Sequence, residues 1–211
     1  MAERAVERLP RGRHRLTRAQ VADAQRARMM TAMADAMTER GYVGTTVGDV
    51  LARAGVSRET FYQQFSSKLD CFMSAFDAAA ALLFTRVRKA VATPGAGSPL
   101  EDFEAVFTAY LDSLIAEPAY ARLFLVEVNA AGPEAIERRA ELQARVVDTV
   151  VQVLAVDDER GRFACRVLVA AISTMVVVPL VRGDLDALRE LREPVLDLVA
   201  HASGPDPGRY R

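Results

Sequence analysis

Within the stretch GVSRETFYQQF, residues 55–65, two phenylalanines four apart enclose a set of hydrogen-bonding side chains. On a helix, Phe61 and Phe65 share one face, and Glu59 and Gln63 point away from it. Thr60 and Tyr62 flank that outward face, with Arg58 and Gln64 nearer its edges. This is chemistry suited to the edges of base pairs. Gln63 can bond adenine in bidentate fashion, Arg58 guanine or a phosphate, and Glu59 can accept from cytosine. Thr60 offers a hydroxyl to phosphate and a methyl to thymine, and Tyr62 reaches a phosphate through its hydroxyl. Ser57 opens the helix, where free N–H groups face anions, and Lys68 opens the next helix and adds a charge.

The elements that position these residues read as helices. Thr17 caps a first helix running to about Arg40, with Met30, Met33, Ala34 and Met37 on one stripe and Gly41 as its stop. Thr45 and Thr46 precede a short helix over 47–54, which Gly55 breaks. Ser57 then caps a third helix over 58–64. Two short helices joined by a tight glycine turn form a helix-turn-helix. Val47, Val50, Leu51 and Ala54 supply the apolar side of its first helix, and Val56 fills the turn. Ser66 or Ser67 caps a long fourth helix over 68–92, with a stripe from Leu69 to Val91. Beyond the linker TPGAGSP at 93–99, helices are expected at 99–116, 118–130, 133–155, 158–181 and 184–202. The fold class is therefore all-α. Residues 1–16 read as a flexible basic arm and 203–211 as a disordered tail.

Composition narrows the function. Residues 1–68 carry 12 Lys or Arg against 7 Asp or Glu, a balance of +5, whereas the rest stands at 15 against 21, or −6. A basic front and an acidic back point the front at a polyanion. Cys71 and Cys165 lack metal or redox spacing, and His14 and His201 lie at opposite ends, so a metal site is not expected. No Ser–His–acid set or phosphate-binding glycine loop is visible, and the chain is not expected to be an enzyme or to need a cofactor. The arginine-rich N-terminus has no apolar core and is not a secretory signal. The longest uncharged run, residues 167–181, has 15 residues and is shorter than a membrane span, so a cytoplasmic protein is expected.

Residues 41–72, GYVGTTVGDVLARAGVSRETFYQQFSSKLDCF, resemble the DNA-binding domain of TetR-family transcriptional regulators. The matching features are Gly41–Tyr42, Thr45–Thr46–Val47, Ala54–Gly55–Val56–Ser57, Thr60–Phe61–Tyr62, Phe65 and Lys68. Leu51, Glu59, Gln64, Leu69 and Cys71 depart from the usual pattern. The resemblance implies phosphate contacts for Thr46, Tyr62 and Lys68, and a place in or beside the major groove for Arg58, Thr60 and Gln63. The expected organisation is a helix-turn-helix domain at 17–66, joined by the long helix to a ligand-binding and dimerisation domain at 67–202. The arm arginines Arg11, Arg13 and Arg15 can follow the backbone or enter a minor groove.

The resemblance further implies a small-molecule effector and a homodimer bound to a double-stranded, palindromic DNA operator. Phe103, Phe107 and Tyr110 share one helix face, and Tyr120 and Phe124 repeat the four-residue step. Phe84 and Met175 are placed to close a cavity with Phe103, Phe107, Tyr110 and Phe124. Residues 163–181 are apolar almost all round, and with Leu185 through Val199 they offer a four-helix subunit interface. A repressor released by ligand is the expected function. Activation, corepressor dependence, or ligand binding without DNA binding remain alternatives on the same fold.

Overall fold

Capping side chains mark where the N-terminal helices begin. In this computed structural model, which describes residues 17–90 and 97–202, Thr17 and Gln20 form a reciprocal capping box at the start of α1 (Arg18–Gly44). Thr46 and Asp49 form a second box at α2 (Val47–Ala54), and Ser57 accepts the Thr60 N–H at α3 (Arg58–Gln64). Each box satisfies donors that a helix leaves free in its first turn. Ser67 accepts the Asp70 N–H at 3.0 Å at the start of α4 (Lys68–Ala90). The arm at 1–16, the tail at 203–211 and residues 91–96, which hold most of the linker, lie outside the described residues.

Two glycines shape the N-terminal unit. Gly55 adopts a left-handed conformation (φ 63°, ψ 43°), so its N–H returns to the Leu51 carbonyl and α3 leaves at a sharp angle. Gly41 was expected to end the first helix, but instead kinks it (φ 66°, ψ 174°), and one more turn runs to Gly44.

The C-terminal body comprises α5 (Pro99–Ala116), α6 (Pro118–Leu125), α7 (Pro133–Val153), α8 (Glu159–Met175), α9 (Val177–Arg182), α10 (Leu185–Glu190) and α11 (Arg192–Ala202). A 3-10 turn over Glu127–Ala130 links α6 to α7, where a single helix over 118–130 was expected. The expected helices at 158–181 and 184–202 are each divided. A proline cannot donate to the carbonyl four residues back and crowds it. Pro179 therefore breaks the ladder at Met175, and Pro194 breaks it at Glu190, where α8 and α10 end. Every described element is helical, as the all-α reading requires.

Two apolar cores result. The first joins Met29, Met33 and Met37 of α1 to Phe61 and Phe65, to Phe72 and Phe76 of α4, and to Leu123 of α6. It binds the helix-turn-helix directly onto α4 and α6 instead of leaving it as a separate bead. The second gathers Phe103, Phe107 and Leu111 of α5 with Val150, Val169, Leu180 and Leu188. Phe76 stacks on Phe124 at 4.7 Å between centroids and bridges the two.

Candidate nucleic-acid interface and effector cavity

The α3 face is set by what lies behind it. Phe61 and Phe65 are fully enclosed, and their rings pack at 5.4 Å. Arg58, Glu59, Tyr62 and Gln63 are thereby left on the exposed side, with Thr60 and Gln64 half-buried at its margins. Arg58 makes no hydrogen bond or ion pair among the described residues, and Gln63 reaches Glu59 only at 3.4 Å. These side chains are available to a partner. Ser57 and Thr60 are more committed, because their hydroxyls share a 2.9 Å hydrogen bond. The Tyr62 ring is held edge-on against Phe61 at 5.3 Å, and half of the residue is exposed.

Thr46 is exposed at the start of α2, with its hydroxyl bonded to Asp49 at 2.7 Å. These bonds from Thr46, with Arg40 at 2.8 Å, hold the Asp49 carboxyl below its usual value of 3.8. Lys68 lies further back than expected of a side chain free for phosphate. Its ammonium donates to the carbonyls of Tyr42 at 2.9 Å and Thr45 at 3.1 Å, and sits 4.1 Å from the Tyr42 ring centroid. Burial lowers its pKa from 10.5, while the two carbonyls and the ring face favour the cation. Lys68 thus clasps the segment leading into α2 and keeps one N–H for a further acceptor.

Arg26 was not singled out in the sequence. Its guanidinium donates to the Gln64 carbonyl and to the Ser74 hydroxyl, both at 2.7 Å, and lies 4.3 Å over the Phe65 ring. It ties the end of α3 to α1 and α4. Its partners are 38 and 48 residues away in sequence, beyond any helical periodicity.

A second feature lies in the C-terminal body. A partly open cavity of about 90 Å³ is lined by α4, α5, α6, α7 and α8. Phe84, Phe103, Phe107, Tyr110 and Phe124 all line it. Met175 does not. It is nearly half exposed on the outer side of α8, and Val169, Ile172 and Ser173 line the cavity in its place. The helix turns 100° per residue, so Met175 cannot share the inward face with Val169. Arg139 and Gln143 also reach the cavity and were not expected. The Arg139 guanidinium bonds Asn129 at 3.3 Å and has no carboxylate partner among the described residues. Burial lowers its pKa, and burial raises that of Tyr110.

The outer side of α8 and α9 carries Phe163, Val167, Met175, Val178 and Val181, all exposed. Glu159–Arg182 is long and apolar enough by composition to cross a membrane, with 22% of its most apolar window buried. By contrast, α10 and α11 turn Leu188, Val195 and Val199 inward and expose Leu198.

Comparison with known proteins places this geometry. Residues 30–75 match the family model of bacterial regulatory proteins, tetR family. Over 92 residues the chain is 33% identical to the HTH-type transcriptional activator FasR of Mycolicibacterium smegmatis, a match covering 44% of this chain and 42% of that protein. Among solved structures, a TetR-like transcriptional regulator from Rhodococcus sp. RHA1 superposes with a TM-score of 0.68 at 18% identity, over 89% of this chain and 99% of that one. The regulator FadR from Bacillus subtilis, solved with stearoyl-CoA, superposes with a TM-score of 0.71 at 17% identity, over 82% of this chain and 96% of that one. Residues 30–75 are thus similar to bacterial regulatory proteins of the tetR family, and the described fold follows that of the solved TetR-like regulators.

Proposed function

We propose that this chain is a cytoplasmic, homodimeric transcriptional regulator that represses by occupying a palindromic operator and is released by a small-molecule effector. The observation that carries this reading is the α3 surface, where Arg58, Tyr62 and Gln63 stand exposed on a helix fastened from behind by Phe61, Phe65 and Arg26. Residues 17–66 form the DNA-binding unit and 67–202 the effector and dimer unit. Ser57, Thr60 and Tyr62 meet backbone, while Arg58 and Gln63 read bases. Thr46 and Lys68 grip phosphate beside the groove.

The exposed apolar stripe of α8 and α9 supports the dimer. Phe163, Val167 and Val178 have no cover among the described residues, and a twofold axis through them pairs the stripe with its own copy. The cavity supports the effector. Its wall is mostly apolar, with Tyr110, Arg139, Gln143, Thr149 and Ser173 as its polar residues and Arg139 as its one cation, which suits an apolar body bearing an acceptor or anionic group. A cavity of about 150 Å³ holds benzene. A long acyl chain of the kind found in FadR would therefore have to part the helices around the cavity of this chain, and that parting is how effector binding would favour another arrangement of α4.

Activation is the second reading, favoured by the name of the FasR relative. Selection from a random duplex pool tests the function. A recovered palindromic consensus supports it, and an unenriched pool removes it. A reporter under the recovered site then gives the sign of regulation.

A further inference from the structure

The kink in α1 has a partner outside the DNA-binding unit. With ψ at 174°, Gly41 turns the following N–H out of the helix, and the Tyr42 N–H donates to Glu127 Oε2 at 2.7 Å. Glu127 belongs to the 3-10 turn of the C-terminal body, 85 residues away, and is only 7% exposed. Its other oxygen faces the Arg122 guanidinium at 3.8 Å, and Arg122 also donates to the Val181 carbonyl of α9 at 3.2 Å. The space beside Gly41 is closed by the same carboxylate, which would lie 3.3 Å from a Cβ at that position. On its far side Tyr42 is held by Lys68, which also holds Thr45, the residue before the Thr46 cap of α2. The segment 41–46 is therefore fixed between two charged side chains, one from each part of the molecule.

A buried carboxylate is costly unless it is paired and bonded. Glu127 meets that condition by bonding a backbone donor of the other domain. Replacing it leaves the Tyr42 N–H without its acceptor and the Arg122 cation without its counter-charge, and Arg122 Nε is already buried without a partner among the described residues.

We propose that Glu127 is a positioning residue for the DNA interface, the joint through which the C-terminal body sets where segment 41–46, and with it α2 and α3, stands. The joint begins two residues beyond Leu125, which lines the cavity, so movement of α6 is delivered to the start of α2. This rests on α2 and α3 being the DNA-binding unit.

The test uses the full chain, with Glu127→Ala and Glu127→Gln compared with wild type. Hydrogen–deuterium exchange reads segment 41–46 without DNA, and titration with the duplex recovered by selection reads affinity. Glu127→Ala is expected to speed exchange over 41–46 roughly tenfold or more and to weaken DNA binding roughly fivefold or more. Glu127→Gln, which retains an acceptor oxygen, is expected to restore both towards wild type. Unchanged exchange in Glu127→Ala overturns the joint. Faster exchange with unchanged affinity overturns the positioning role. Equal loss in both variants overturns the acceptor as its basis. Should Glu127→Ala not fold, the wild-type Tyr42 amide decides, because rapid exchange there contradicts the bond. A wild type that binds no DNA removes the DNA-binding assignment, and the exchange data distinguish that failure from failure of the joint.

Discussion

Lys68 and Tyr42 are locked together at the root of the helix-turn-helix: the ammonium donates to the Tyr42 carbonyl at 2.9 Å and faces its ring at 4.1 Å. Two charge-assisted bonds to carbonyls, at Tyr42 and Thr45, make Lys68 a structural clasp as well as a source of charge. Lys68→Ala is expected to lower stability by about 2 kcal/mol in denaturant titration. It should also weaken binding to all duplexes alike and reduce the salt slope by about one. A variant with wild-type stability would contradict the clasp.

Gln63 is expected to behave differently. It is exposed on α3 and bonded only weakly within the chain. Gln63→Ala should leave stability unchanged and relax preference at one base position in each half-site, by about 1–3 kcal/mol of discrimination. Selection with the variant that returns the wild-type consensus would show that Gln63 is no reader.

Acid should loosen the α2 cap. The Asp49 carboxyl is held below its usual value, first by Thr46 and then by nearby arginines. A depressed carboxyl contributes stability that is present above its unfolded pKa and lost as pH falls through the folded one. Melting curves below about pH 4 should therefore show wild type losing stability faster than Asp49→Asn. Parallel curves would contradict this contribution.

The outer stripe of α8 gives a prediction about assembly. Val167 is more than half exposed, so its replacement costs little within the chain. Val167→Glu places a charge in the centre of the proposed interface, where an unpaired charge is costly. Sedimentation is expected to show a dimer for wild type and a monomer of unchanged helicity for the variant. A variant that remains dimeric would move the interface elsewhere.

The N-terminal unit was legible in the sequence because its signals are local. Thr46 and Asp49 lie three residues apart, as do Ser57 and Thr60, and each pair forms the bond its spacing allows. Gly55 marks a turn that few other residues can adopt. Pro179 and Pro194 mark the breaks at Met175 and Glu190 in the chain, but the helical apolar pattern continues through both prolines and masks them. Met175 was misplaced for a related reason, since an almost wholly apolar segment does not reveal which side faces the cavity. Arg26, Arg139 and Glu127 were not legible as functional supports. Arg26 and Glu127 act across 38 and 85 residues, and only the packed fold brings such partners together.

The central claim is that α3 reads base edges in the major groove through a twofold pair of copies. Purine-methylation interference on the selected duplex tests it most directly, because N7 of guanine lies in that groove. The account predicts interference at two clusters related by the palindrome and separated by about one helical turn or a multiple of it. Binding that methylation nowhere disturbs, or that proceeds equally on any sequence, would contradict it.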